Sequence, residues 1–158
     1  MKKQSGLQMI QNLNNFLKNA VDKQFATKYG IKMHMLLQNV VIDDVAGNTG
    51  DIDVVSVIKN RPDLIPFFCA NAKTEVAIAG YVEGYFISRR IDRLVIDNNQ
   101  KTVLFMDYKT DSNTTEFYDK YKKQLFEYAE LLRSVYPDYK INGFILWVHN
   151  WQLDKVIC

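Results

Sequence analysis

Two neighbouring segments decide the fold, RRIDRLVI at residues 89–96 and VLFMDYKT at residues 103–110. Both are short runs rich in β-branched and other apolar residues, and a polar turn separates them. Runs of this composition joined by such a turn are typical of adjacent antiparallel strands. Each run carries one carboxylate, Asp92 in the first and Asp107 in the second, and Lys109 follows Asp107 at the second position. The pattern predicts a sheet with acidic and basic groups on neighbouring strands.

The chain on either side of these segments completes the sheet and adds a helix. A short apolar run at residues 76–78, bounded by glycine, predicts the first strand of a three-stranded meander. Residues 116–136 return to the 3.6-residue period of an amphipathic helix, which Pro137 ends. Residues 141–148 predict a final buried strand. The order predicts an α/β fold, in which a mixed sheet of the meander plus a further strand is flanked by helices.

The amino-terminal part of the chain predicts further helices. Residues from about 7 to 28 carry apolar side chains at helical spacing, and this helix is predicted to end near Gly30. A second helix is predicted to begin near Lys32. Residues 51–59 favour helix over strand, and residues 62–70 predict a short helix or turn.

The composition is that of one globular domain with its own core. The chain has 158 residues, of which 47% are hydrophobic and 24% charged. We expect one domain over residues 1–158, with an N-terminal helix at 1–30 and the core at 31–158. The net charge of +2 argues against DNA binding by bulk charge. A DNA path would therefore have to be a local strip of Lys and Arg.

The cysteine count and the hydropathy exclude several classes of protein. Cys69 and Cys158 are too few for a cysteine-ligated iron–sulfur cluster, and the two histidines do not lie at zinc-finger spacing. No secretory signal is evident, and no apolar run approaches the ~20 residues of a membrane span. A reduced, cytoplasmic protein is the expectation.

Asp92, Asp107 and Lys109 are the residues with the strongest chemical signal. A single Asp at the end of a strand is most often a turn former or an ion-pair partner. Two carboxylates on adjacent strands repel each other unless a cation lies between them, and Mg²⁺ prefers such oxygen ligands. Lys109 lies on the same strand face as Asp107 and could orient an attacking water. The set predicts metal-dependent phosphodiester hydrolysis.

Other candidate residues are individually weaker. Gln124 and Tyr128 lie four apart on one helix face, which indicates either core packing or phosphate binding beside Lys109. His34 on a predicted helix is either a satisfied helix residue or a metal ligand. Basic residues near these positions either form a solvated face or contact DNA. The basic residues predicted to contact DNA are Arg89, Arg90, Arg93, Lys120 and Lys123.

Taken in order, these residues resemble the PD-(D/E)XK nuclease superfamily in its RecB-like branch. That branch has a helical histidine, an Ile-Asp-Arg-Leu strand, an Asp-Tyr-Lys-Thr strand and a Gln-x-x-x-Tyr helix. The matching residues here are His34, Asp92, Asp107 with Lys109, and Gln124 with Tyr128. The greatest likeness is to the carboxy-terminal nuclease domain of AddA-type helicase–nucleases of alphaproteobacteria, over roughly residues 25 to 150. The resemblance implies a restriction-endonuclease-like core.

The resemblance also implies an activity and its ligands. It implies a Mg²⁺- or Mn²⁺-dependent exonuclease that acts on single-stranded DNA or DNA ends in double-strand-break repair and recombination. His34, Asp92, Asp107 and the Tyr108 carbonyl would ligate the metal, and Glu75 would border the site as a further catalytic residue. The chain has no P-loop motif, so it is not expected to bind a nucleotide, and a helicase motor would lie on the same or another chain.

Two positions depart from the pattern of these relatives, and two alternatives stay open. Arg89 stands where the relatives have glycine, and the stretch after Thr110 lacks an arginine that they carry. One alternative is a catalytically silent DNA-binding or interaction module derived from such a nuclease. The other is an unrelated α/β domain in which Asp107 and Lys109 form only a salt bridge.

Overall fold

A computed structural model describes Lys18 and residues 26–45 and 47–158. Helix α1 covers residues 26–38. The elements that follow, in chain order, are α2 (Ile52–Lys59), α3 (Ile65–Phe68), β1 (Lys73–Val82), β2 (Tyr85–Asp97), β3 (Thr102–Lys109), α4 (Thr114–Val135), β4 (Lys140–Trp147) and β5 (Gln152–Ile157). Among these residues, no helix is both long enough and apolar enough to cross a membrane.

The strands form one mixed sheet in the order β1-β2-β3-β4-β5. The β3–β4 pair is parallel, and the other three pairs are antiparallel. A parallel pair needs a crossover connection, and α4 supplies it. The predicted α/β class, with a mixed sheet of a meander plus a further strand flanked by helices, is confirmed.

Two apolar clusters cover the two faces of the sheet. On one face, Leu37 of α1, Ile58 of α2 and Phe68 of α3 pack on Met106 of β3. On the other face, α4 buries residues spaced three or four apart, among them Tyr121, Leu125, Tyr128 and Leu132. This spacing puts one stripe of α4 against the sheet. The face between α1 and the sheet and the face under α4 are called the α1 side and the α4 side below.

Two predictions about the elements are wrong. Helix α1 runs without a break through Gly30, where the sequence suggested the end of one helix and the start of another. Gly30 serves close packing, because a Cβ there would lie 3.2 Å from Thr110 Oγ1. The strand at 141–148 is not the last, since β5 follows it. The predicted helix at 7–28 lies outside the described residues apart from residue 18 and its final turn.

Candidate functional site

The candidate site lies where β1 and β2 stop pairing in the regular way. Their ladder is continuous on both sides of Glu75 and Asp92 but does not pair these two residues. Glu75 has a φ of 52°, a backbone conformation that is uncommon for residues other than glycine. On β2, Ile91 and Leu94 both pack on the α4 side, although strict alternation would put residues three apart on opposite faces. The interruption in both strands places two carboxylates at one point of the sheet.

His34 reaches this point from α1 and completes a cluster with the two acids. One ligand atom each from His34, Glu75 and Asp92 lies within 4.8 Å of the others. His34 Nδ1 is 3.4 Å from Asp92 Oδ1. This contact raises the pKa of the His34 imidazole above its usual value. Asp92 is buried while His34 is half-buried, so the cluster lies at the wall of a cavity that is open to solvent.

The peptide of Tyr108 links this cluster to β3. The β2–β3 ladder ends at the pair Arg93–Met106, so the Tyr108 N–H has no strand partner and donates to Asp92 Oδ2 at 2.7 Å. The carbonyl of a strand residue points to the same strand edge as its own N–H. The Tyr108 carbonyl therefore faces the opening between β2 and β3, as the predicted backbone ligand requires.

Asp107 and Lys109 lie on the α4 side, in a chain of polar contacts with Gln124 and Tyr128. The Lys109 ammonium contacts Asp107 Oδ2 and donates to Gln124 Oε1 at 3.0 Å. Gln124 Nε2 donates to Tyr128 Oη at 2.5 Å. Tyr128 Oη donates to the Arg90 carbonyl at 3.1 Å and lies 3.4 Å from Asp107 Oδ1. The structure thus brings together Asp107, Lys109, Gln124 and Tyr128, whose common location the sequence predicted.

Asp107 is a buried carboxyl in an unfavourable position for its charged form. Burial raises its pKa to about 6, the Asp92 charge adds to the rise, and Lys109 opposes it. Its Oδ2 has the ion-pair contact with Lys109 but no hydrogen bond of ordinary geometry among the described residues. Burial therefore outweighs the Lys109 ion pair in its effect on the pKa of this carboxyl.

The contact between Lys109 and the Tyr121 ring was not predicted from the sequence. Lys109 Nζ lies 4.2 Å from the centroid of the Tyr121 ring, a cation–π arrangement. The Tyr121 hydroxyl donates to Asp111 Oδ2, which fixes the ring. A sequence signal exists, because Tyr121 shares one helix face with Gln124 and Tyr128.

The predicted metal ligands divide between the two sides of the sheet. His34 and Asp92 belong to the three-residue cluster with Glu75, and Asp107 belongs to the contacts of Lys109. The two groups are nevertheless close enough that the charges of Asp92 and His34 act on the Asp107 carboxyl. Glu75, predicted to border the site, lies in the metal-capable cluster itself.

The prediction that Arg93 contacts DNA is wrong. Arg93 is fully buried, and its guanidinium donates to the carbonyls of Leu37 at 2.5 Å and Val40 at 2.7 Å and to the Tyr108 hydroxyl at 2.8 Å. The guanidinium also lies over the Phe68 ring. Arg93 thus donates to carbonyls at and just beyond the carboxyl end of α1, where the regular helical hydrogen bonds end. It holds α1, and with it His34, against the sheet.

The other predicted DNA contacts lie at the surface. Arg89 pairs with Glu127 at 2.7 Å, so it extends toward α4 and does not crowd the strand. Arg90 lies 3.3 Å from Glu75. Lys120 and Lys123 are exposed and form no ion pair within the described part of the chain.

Comparison with known proteins adds only a distant likeness. No family model matches the chain, and no curated protein matches it. The crystal structure of SSO0001 is similar with 17% sequence identity and a TM-score of 0.46, over 94% of this chain and 60% of that one. The chain thus spans about three fifths of the length of SSO0001.

Proposed function

We propose that this protein is a metal-dependent deoxyribonuclease that hydrolyses phosphodiester bonds. One observation carries the proposal. Three carboxylates, an imidazole and a lysine converge where β2 and β3 separate, from both sides of the sheet. The resemblance to PD-(D/E)XK nucleases, which gives the same function, stays a prediction because no family model matches the chain.

The donor set fits a hard divalent cation. His34, Glu75 and Asp92, with the Tyr108 carbonyl, would hold Mg²⁺ or Mn²⁺ through oxygen and one imidazole nitrogen. Asp107, the further ligand that the sequence predicted, lies on the α4 side outside this cluster. A cation would offset the burial, and the lesser repulsion from Asp92, that raise the pKa of Asp107. When bound, it would polarise a phosphate oxygen and lower the pKa of a water molecule.

Lys109 is the residue best placed to act on the substrate. An ammonium has three donors, of which one goes to Gln124 and one faces Asp107. The third has no polar acceptor among the residues that the structure describes, and it would stabilise an attacking hydroxide or the negative charge that develops on the phosphate. Gln124 and the Tyr121 ring fix its position, so the lysine needs little reorganisation during the reaction.

Tyr128 supports this arrangement as a donor. Burial and the Asp107 charge raise the pKa of its hydroxyl well above the ordinary value, so the group stays protonated. Its contacts with Gln124, Asp107 and the Arg90 carbonyl connect α4 to both strands that carry the aspartates. Tyr128 therefore fixes α4 relative to the two strands that carry Asp92 and Asp107.

The biological setting of the proposal comes from the resemblance alone. It is exonucleolytic digestion of single-stranded DNA or DNA ends in double-strand-break repair and recombination. A helicase motor on the same or another chain would supply the strand.

The test is digestion of end-labelled single-stranded and duplex DNA with Mg²⁺ or Mn²⁺, beside Asp107→Ala and Lys109→Ala variants. Lys155→Ala is a matched control, because Lys155 is an exposed strand lysine remote from the site. We expect metal-dependent cleavage that both site variants lose and the control keeps. A folded wild-type protein that binds metal but cleaves neither substrate would indicate the catalytically silent module. Absence of metal binding would contradict the proposal.

A further inference from the structure

The hairpin of β1 and β2 carries a group of exposed aromatic side chains. Tyr81, Tyr85 and Phe86 are 76%, 75% and 64% exposed. Both residues of the turn between the strands, Glu83 and Gly84, have positive φ, as in the tight two-residue turns that match strand twist. The turn gives these aromatic residues a defined position at the end of a long ribbon.

The aromatic residues divide between the two faces of the hairpin. Tyr85 faces α4, where it lines a groove of about 540 Å³ with Phe126 of α4, itself 42% exposed. Tyr81 and Phe86 lie on the opposite face, with ring centroids 5.5 Å apart. The exposed ring of Tyr85 therefore belongs to a concave surface, and the ring of Phe86 does not.

The groove continues toward the candidate site. A second cavity of about 370 Å³ shares Lys123 and Glu127 with it and also contains Gln124, which accepts a hydrogen bond from Lys109. From Tyr85 to Arg89, which lines the second cavity, the strand rises about 13 Å. We call the two cavities together the α4 groove. It leads from the hairpin to the polar contacts of Lys109.

The charges along the α4 groove favour a polyanion. Arg89 neutralises Glu127. The lysines that line the groove are Lys120, Lys122 and Lys123. Two carboxylates of the lining, Glu83 and Asp119, have no ion pair among the residues that the structure describes. The lysines outnumber them, so the net charge of the lining is positive.

We propose that the α4 groove binds single-stranded DNA, with bases stacked on Tyr85 and Phe126 and phosphates held by the lysines. The inference rests on the proposed nuclease function and assigns the surface that would hold the single strand. Exposed aromatic rings beside positive charge are what single-strand binding surfaces use, because every base presents a π-face. Bases in a duplex are stacked on each other and do not offer that face. The groove therefore guides an unpaired strand toward Lys109.

The test is binding of a fluorescent oligothymidylate of about 12 nucleotides, within the range that single-strand modules cover. Fluorescence anisotropy is measured in EDTA, so that the result does not depend on cleavage. Tyr85→Ala should weaken binding at least about five-fold, the lower end for loss of one stacked base. Tyr85→Phe should restore binding, because it keeps the ring.

Phe86→Ala is the matched control. Phe86 is the next residue of the same strand and has similar exposure, but it lies on the other face. We expect the affinity of the Phe86→Ala variant for the oligothymidylate to stay within about two-fold of wild type, a smaller change than the loss of one stacked base causes. Lys123→Ala should lower the slope of log affinity against log salt by about 0.7, the value for one phosphate contact on a single strand. Lys155→Ala should leave that slope unchanged.

Three outcomes would overturn the inference. The first is no measurable binding of the oligothymidylate by the wild type. The second is an equal loss of affinity in Tyr85→Ala and Phe86→Ala. The third is a loss of affinity in Tyr85→Ala that is as large for a duplex of the same length as for the single strand. Failure of the nuclease proposal is distinguishable, because it would appear as normal binding in EDTA without cleavage when metal is added. Circular dichroism of each variant checks that the exposed substitutions leave the fold intact.

Discussion

The two sides of the sheet contribute different chemistry to the candidate site. The α1 side presents His34, Glu75 and Asp92 at the wall of a cavity that is open to solvent, with ligand atoms within 4.8 Å of one another. The α4 side presents Asp107 and Lys109 in a buried chain of polar contacts that ends on helix α4. One side is arranged as a set of ligands, and the other as a fixed cation beside a carboxylate.

In the proposed nuclease, the two sides of the sheet would have different roles. Metal ligands need access and free lone pairs, which the α1 side provides. A group that stabilises charge in a transition state needs a fixed position and little water, which the α4 side provides. Substitutions on the α1 side should therefore change metal affinity, and substitution of Lys109 should change the rate at saturating metal.

The largest effect is expected for Lys109→Ala. Loss of a fixed donor that stabilises transition-state charge lowers the rate by about 10²–10³-fold. Metal affinity should stay close to wild type, because Lys109 is not a ligand. Single-turnover cleavage at saturating Mn²⁺ measures the rate, and calorimetric titration with Mn²⁺ measures the affinity. A large loss of metal affinity in this variant would contradict the separation of the two sides.

The next effect is expected for His34→Ala and Glu75→Gln. His34→Ala removes one ligand, and Glu75→Gln removes the negative charge of another. We expect metal affinity to fall by at least about 10–100-fold, the loss that replacing an outer-shell partner of a ligand already causes. Cleavage should recover when the metal concentration is raised. Gln38→Ala is a suitable control, since Gln38 lines the same cavity from α1 but carries no ionisable ligand. Equal losses in the control and in the ligand variants would indicate damage to α1.

A smaller effect is expected for Asp107→Asn, which should stabilise the protein when a chelator has removed metal. The folded-state pKa of Asp107 is about 6, above the unfolded value near 4. The folded state therefore binds more protons, and the free energy of unfolding should fall as pH rises between these values. Above pH 6, Asp107→Asn should raise this free energy by up to about 3 kcal/mol, because each pKa unit between the two values corresponds to about 1.4 kcal/mol.

Asp92→Asn is the comparison for that measurement. The Asp92 carboxylate accepts the Tyr108 N–H and contacts His34, so its replacement should not stabilise the protein. Urea unfolding in EDTA at several pH values measures both variants. Stabilisation by Asp92→Asn equal to that by Asp107→Asn would show that burial on the α4 side is not the cause.

The smallest effect is expected for Tyr121→Leu. Loss of the ring below Lys109 removes a cation–π contact worth about 0.5–2 kcal/mol, which corresponds to a rate loss of roughly 2–30-fold. Tyr121→Phe keeps the ring and loses only the hydroxyl contact with Asp111. It should retain most of the rate. Equal losses in the two variants would assign the effect to the hydroxyl.

Regular periodicity explains which parts of the site could be predicted from the sequence. A spacing of two residues on a strand predicted that Asp107 and Lys109 share one face of the sheet. A spacing of four residues on a helix predicted that Gln124 and Tyr128 share one face of α4. The meander, α4 and β4 followed from the same periods. That Asp107, Lys109, Gln124 and Tyr128 lie close together was predicted from the resemblance together with the strand order.

The interruption of both strands explains what could not be predicted. Strict alternation gave no reason to bury Arg93 or to bring Glu75 into the metal-capable cluster, because the positive φ of Glu75 leaves no trace in the hydrophobic pattern. Strand β5 was missed because Asp154 and Lys155 interrupt its apolar pattern. Charged residues of this kind are common on edge strands.

In the proposed nuclease, one site binds a catalytic metal on the α1 side and acts through Lys109 on the α4 side. The most direct test is the cleavage rate of labelled single-stranded DNA as a function of Mn²⁺ concentration, for wild type, His34→Ala and Lys109→Ala. We predict that His34→Ala shifts the midpoint to higher metal and reaches the wild-type plateau. For Lys109→Ala, the midpoint should be unchanged and the cleavage rate at saturating Mn²⁺ should be far lower than that of wild type. No cleavage by the wild type at any concentration, or the same change in both variants, would contradict the account.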